Sequence, residues 1–159
     1  MRDETGQVAG QALAWLAQKW HAAAVELGVT GVLAVRLVGD AKMCELHQRH
    51  CQDEMTTDVL TFDLRQPVPG AGDPLRLVIE TDVIVCVDEA QRQAAARGYG
   101  VEREILLYGV HGILHCCGFD DHSDDDFAAM HAREDEVLVA IGVGPTFAGP
   151  AQPTQDVSR

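Results

Sequence analysis

The stretch that most constrains this chain is His111-Gly112-Ile113-Leu114-His115, followed by Gly118 and then Asp121-His122. On an α-helix, positions four apart differ by about 40° around the axis, so His111 and His115 present their imidazoles on one face, a turn apart. Such a pair suits two ligands on one ion, although two histidines at this spacing alone are weak evidence of a metal. Gly118 strengthens the case: it stands where the helix must stop and reverse, and glycine tolerates the positive φ of that turn. The reversal can bring a third ligand back to the same ion, and Asp121 and His122 compete for that place. Imidazole is the commoner zinc ligand, which leans toward His122, while carboxylates serve in sites of two histidines and an acid. Cys116 and Cys117 lie about 140° and 240° around the helix from His111 and are expected in the core. Three protein ligands leave one position of a tetrahedral zinc open, the pattern of a catalytic rather than a structural site. Water there has its pKa lowered to about 7, so the segment reads as the centre of a hydrolase holding one zinc ion (Zn2+).

Composition limits what surrounds this centre. A chain of 159 residues, 47% of them hydrophobic, can bury one core without disulfides. Its 5 cysteines form no CxxC pair and read as reduced thiols. Net charge is −13, which argues against broad affinity for nucleic acid, because that affinity rests on phosphate neutralisation by Lys and Arg. Any nucleic-acid role must then use a local patch of arginines, and Arg65, Arg76, Arg92, Arg97 and Arg103 are candidate phosphate contacts. No stretch is apolar enough to span a bilayer and the first residues lack a secretory pattern, so a cytoplasmic protein with no membrane partner is expected.

Periodicity predicts an α+β domain with a small mixed β-sheet of about four strands packed with about five helices. Helices are expected over Gln7 to Leu27, from a capping Asp40 to His50, over Asp88 to Arg97, over Val101 to Cys117 and over Asp124 to Ile141. Asp124, Asp125 and Asp126 read as acids favouring a helix N-terminus rather than as a magnesium site. Strands are expected over Val32 to Val38, Val59 to Leu64 and Leu75 to Cys86, the last with a bulge near Glu80-Thr81-Asp82. Gln66 to Pro74 reads as a surface loop, residues 1–142 as a single domain, and residues 143–159 as a fraying, disordered tail. Trp15 and Trp20 point in different directions, as core and rim, and no aromatic cluster for stacking nucleobases is evident. His47 and His50, with Cys51, read as a polar helix face rather than a second metal site. Asp58 could cap a loop or orient a histidine.

The residues His111 to Asp121 resemble the motif H-G-x-L-H-x-x-G-[YF]-D-H of the YbeY family of bacterial endoribonucleases. Thr57-Asp58-Val59-Leu60-Thr61-Phe62 is similar to that family's T-[DN]-V-L-S-F, and Asp82 to Cys86 to its G-D-I-V-I-C strand. The last helix carries a similar Met130, Glu134, Glu136 and Gly142 pattern. The resemblance implies a bound zinc, cleavage of single-stranded RNA, and work on ribosomal RNA precursors in maturation and ribosome quality control. Its implied partners are the ribosome or proteins of its small subunit, and not DNA. Aligned without a gap, the family's third histidine falls on Asp121, which favours Asp121 as third ligand with His122 as its partner or substitute. Cys51 occupies the place of an arginine tied to cleavage in the family, and His47 that of an asparagine. Arg49, two residues earlier, is the candidate to supply that charge, and the catalytic set expected is His111, His115 and Arg49. Two rivals stand beside this reading. One is a ribosome assembly factor that keeps zinc and has lost cleavage, suggested by Cys51 and the acidic surface. The other is a zincin-like metalloprotease, disfavoured because Gly112 replaces the Glu that would act as general base.

Overall fold

The computed structural model describes residues 1–65 and 77–147. Nine elements follow in order: β1 (Arg2–Asp3), α1 (Gly10–Glu26), β2 (Val29–Val38), α2 (Asp40–Cys51), β3 (Val59–Asp63), β4 (Leu77–Cys86), α3 (Val87–Arg97), α4 (Val101–Cys116) and α5 (Asp124–Ala140). The sheet runs β1-β2-β4-β3, with β1, β2 and β4 parallel and β3 antiparallel against β4. This is the α+β class with a mixed sheet of four strands and five helices. The expected loop from Gln66 to Pro74 lies outside the described residues, as does Arg76.

Alternation along the strands divides the core. Val83 and Val85 of β4, with Val35 and Leu37 of β2, face α1, α4 and α5, whereas Ile84, Cys86, Val38 and Leu60 face Met43 and Leu46 of α2. The bulge expected in β4 is absent: the strand pairs without interruption from Leu77 to Cys86 with β2. The polar triplet needs no bend because Thr81 is buried with its hydroxyl donating to the Phe62 carbonyl at 3.0 Å. Nor does Asp40 cap α2. Gly39 holds that position and the Asp40 N–H is taken by Asp88 of α3 at 2.8 Å. The Asp40 carboxylate instead receives the Arg92 guanidinium and the Cys86 thiol, tying α2 to α3. Burial pushes that thiol up to about 11, with Asp40 adding to the shift, so it stays a protonated donor.

At the centre lies α4, whose residues from Glu104 to Val110 are buried without a break. Such a helix is apolar all round because it is covered all round. Gly109 lets it approach α1 closely: a Cβ there would stand 2.2 Å from Trp20 Nε1, which donates to the Leu106 carbonyl at 3.1 Å. Trp20 is thus a core residue and Trp15 a rim residue. After α5, the chain does not fray at once. Asp135 accepts the N–H groups of Thr146 and Phe147, and Arg103 donates to the carbonyls of Gly144 and Pro145, so residues up to Phe147 are docked. Residues 148–159 lie outside the described residues.

Gly109→Ala tests this packing. Helix propensity alone would stabilise by about 1 kcal/mol, but overpacking against a fixed indole costs about 1–3 kcal/mol. A net loss, seen as a lower midpoint in urea unfolding, is the expected outcome. A raised midpoint would show that α1 and α4 are not in contact at this point.

Candidate metal centre

The last turn of α4 presents both histidines on its exposed side, as the four-residue spacing requires. Gly118 then adopts φ +92°, its N–H donating to the His115 carbonyl at 3.0 Å, and the chain reverses. The reversal places the Phe119 carbonyl 3.1 Å from His115 Nδ1 and returns Asp121 to the histidine face. His111 Nε2 lies 2.9 Å from His115 Nε2 and 3.7 Å from Asp121 Oδ2. One donor atom from each of His111, His115 and Asp121 falls within 4.8 Å of the others.

The outer hydrogen bonds fix what the inner nitrogens can be. A backbone carbonyl only accepts, so His115 Nδ1 carries a proton for Phe119. His111 Nδ1 stands 2.7 Å from Oε1 of Glu134 in α5, a carboxylate only 1% exposed, and carries a proton for it. In the neutral rings both Nε2 atoms then bear lone pairs, and these face one another at 2.9 Å. Two lone pairs at that distance repel unless a proton or a metal ion lies between them. Two imidazoles and a carboxylate, each imidazole oriented by an acceptor on its far side, are a donor set that fits zinc and leaves further positions open. Burial disfavours the charged form of His111, but the Glu134 carboxylate, helped by Asp121 and Asp58, outweighs it and raises the pKa.

The other sequence candidates are placed differently. His122 has its side chain 85% exposed and turns to Asp120, which raises its pKa; its Nδ1 is 4.0 Å from Asp121 Oδ1. It belongs to a second, outer group of donors with Asp120 and Asp121. Arg49 is exposed, paired with Glu45 at 2.8 Å, and does not line the groove beside the histidines. Helix α2 runs regularly through Cys51 to a left-handed Gln52, so no altered helix end turns Arg49 inward. Cys116 is buried among Val29, Ile79 and Ile113, and Cys117 is partly buried against them. His47 bonds the Met55 carbonyl and His50 packs on Phe62, with no metal-like grouping there among the described residues. Asp58 caps its own turn, accepting from the Val59 N–H at 2.8 Å. The Asp124 to Asp126 acids form the first turn of α5, whose Ser123 side chain accepts from the Asp126 N–H.

Gly112 has a packing reason that the sequence did not disclose. A Cβ there would stand 2.8 Å from Val83 and 2.9 Å from Thr61, because this side of α4 lies on the sheet. A glutamate at this position would have to displace Val83 or Thr61, so the packing here disfavours a zincin's general base.

The centre opens on a groove of about 1040 Å³ between the end of α4, the chain from Thr56 to Thr61, and α5. Acids dominate its charged lining: Asp58, Asp63, Glu89, Glu104, Asp121 and Glu134. Among the described residues Arg97 is its one lining arginine, and that side chain is tied to the buried Glu104. The other described arginine candidates are engaged as well, Arg65 with Asp63, Arg92 with Asp40 and Glu89, and Arg103 with carbonyls.

Three residues of the site escaped the sequence reading. Glu134 belongs to a pattern on the last helix in sequence, and its part in orienting His111 emerges only in three dimensions. His131 donates from Nδ1 to the second oxygen of Glu134 at 2.7 Å. Phe147, from the segment expected to fray, stacks on His131. The spacing of His131 and Glu134, one helical turn apart on α5, was the only available signal.

The fold thus presents a group of side chains that could hold a metal ion at the end of its central helix, facing a groove. Comparison with known proteins gives the family. A profile described as endoribonuclease YbeY matches residues 2–142. A protein named endoribonuclease YbeY from Halalkalibacterium halodurans is 36% identical over 118 residues, covering 70% of this chain and 72% of that one. Another of the same name from Moorella thermoacetica is 33% identical over 141 residues, covering 86% and 90%. The solution structure of a Thermotoga maritima protein is similar in fold, with a TM-score of 0.54, 26% identity and coverage of 87% of this chain and 88% of that one. The chain belongs to the endoribonuclease YbeY family.

Removing the shared carboxylate should expose its role. Glu134→Ala leaves two imidazole N–H groups without an acceptor, and metal affinity measured by chelator competition is expected to fall about 10–100-fold. Stability should drop by about 1–3 kcal/mol in urea unfolding. Unchanged affinity would mean that Glu134 does not orient the donor histidine.

Proposed function

We propose that this protein is a zinc-dependent endoribonuclease specific for single strands, acting on ribosomal RNA precursors in maturation and ribosome quality control. The observation that carries the reading is the pair of imidazole nitrogens facing each other at 2.9 Å at the edge of an open groove, with the Asp121 carboxylate beside them. His111, His115 and Asp121 hold the ion, and His122 is a neighbour in the outer group. Zinc bound there supplies a Lewis acid for a phosphodiester oxygen and lowers the pKa of water at neutral pH. The chain's own part is positional. Glu134 and the Phe119 carbonyl lock the two rings, and the groove admits a single strand to their Nε2 side. Arg49 has no share in this reading, since its guanidinium stays on α2 with Glu45.

The ribosomal assignment, with the ribosome or its small-subunit proteins as partners and a cytoplasmic site of action, rests on the family. No helix of the described residues is long and apolar enough to cross a membrane. The rival reading, an assembly factor that binds zinc without cleaving, draws support from the acid-lined groove and its neutralised arginine.

One set of measurements separates them. Metal-loaded protein should cleave a single-stranded stretch of precursor ribosomal RNA and leave a duplex intact. His115→Ala should lose both zinc and cleavage. Asp121→Ala should lose most of its zinc while His122→Ala keeps it. Full zinc with no cleavage in the unaltered protein would favour the assembly factor, and full zinc in Asp121→Ala would remove it from the ligand set.

A further inference from the structure

Beside the metal donors, the groove wall carries a stack of rings that orients no ligand directly. Phe127 and His131, a turn apart on α5, meet edge to face with centroids 4.0 Å apart at 78°. His131 in turn lies flat on Phe147, 3.7 Å away at 24°, and the Arg97 guanidinium sits 5.3 Å from the far side of this group, against the Phe147 ring. All four side chains line the groove. The back of the stack is fixed: Asp135 holds the Phe147 N–H, Glu104 holds Arg97, and Glu134 holds His131. The front is not covered. Phe127 is 50% exposed, and among the exposed large hydrophobic side chains of the described residues it is the one that faces this groove.

Charge explains what such a surface is for. RNA affinity from phosphate contacts requires free cations, and the described arginines near this groove are already paired with acids or carbonyls. Stacking needs no charge, because every base offers a π face, and a ring held in place beforehand loses little entropy on binding. Glu134 gives one oxygen to His111 and the other to His131, so the stack and the metal donors are separated by a single carboxylate.

We propose that Phe127, backed by His131 and Phe147, is a stacking subsite for one nucleobase of single-stranded RNA, next to the phosphate held at the histidine pair. This rests on the reading that RNA enters this groove. The subsite reads no base identity; it selects an unpaired base, since a base within a duplex has both faces covered.

The test uses the full chain, loaded with zinc, and a short single-stranded RNA oligonucleotide in which one base at a time is removed to leave an abasic ribose. Phe127→Ala is expected to weaken binding of the intact oligonucleotide roughly tenfold, with Phe127→Tyr close to the unaltered protein. Zinc content should not move, and the thermal midpoint should fall only modestly, because half of the ring is exposed. With the oligonucleotide that lacks the stacked base, the difference between Phe127→Ala and the unaltered protein should vanish. Binding by Phe127→Ala within about twofold of the unaltered protein, or a loss that persists at every abasic position, overturns the subsite. Cleavage followed in parallel keeps the two readings apart. Protein that binds with this base dependence but does not cut removes the nuclease and leaves the subsite. Cleavage with an unchanged KM in Phe127→Ala does the reverse.

Discussion

The structure depends on how closely α4 can be approached. Its sequence is apolar around the helix, and the two glycines at 109 and 112 remove side chains where Trp20 on one side and Val83 with Thr61 on another press against the backbone. Native interiors are packed too tightly for such a helix to shift without cost. The end of α4 is therefore set by contacts along its whole length, and the histidine pair inherits that fixed position. A metal ion bound by donors on a helix so held would require little further ordering of the site.

Electrostatics work against the expected substrate and define what remains. The chain carries −13 overall, and the groove concentrates acids rather than screening them. One divalent ion at the histidines would be the largest positive charge in the groove and would invert the local field. The acids are not all idle charge: Glu134 orients two rings, Glu104 binds Arg97, and Asp58 closes a turn. If RNA enters this groove as proposed, the exposed ring of Phe127 offers it a contact that needs no charge.

Much of this was legible in the sequence, for identifiable reasons. Strand and helix periods survive in a single chain, so five helices, the three longer strands and the class of the fold could be read, whereas the two-residue β1 carries no period to read. The spacing of His111, His115 and Gly118 carries its geometry with it. Other features depend on tertiary contact and leave no local trace. Thr81 looks like a break in a strand until the Phe62 carbonyl is found beside it. Asp40 looks like a cap until Asp88 and Arg92 take its place and its carboxylate. Arg49 looks available until α2 is seen to run on past it. The choice between Asp121 and His122, which spacing left open, turns on one reversal at Gly118 that points the two neighbours in different directions.

Phe147 lies beyond residue 142, where the family match ends, and yet it forms the back plate of the ring stack. The boundary of shared sequence and the boundary of the working groove are thus different. A shortened chain ending at the family match would retain every metal donor while losing the support behind His131. Of the three stacked rings, Phe127 and His131 lie within the family match and Phe147 lies outside it, so the support behind His131 has to be read from this chain itself.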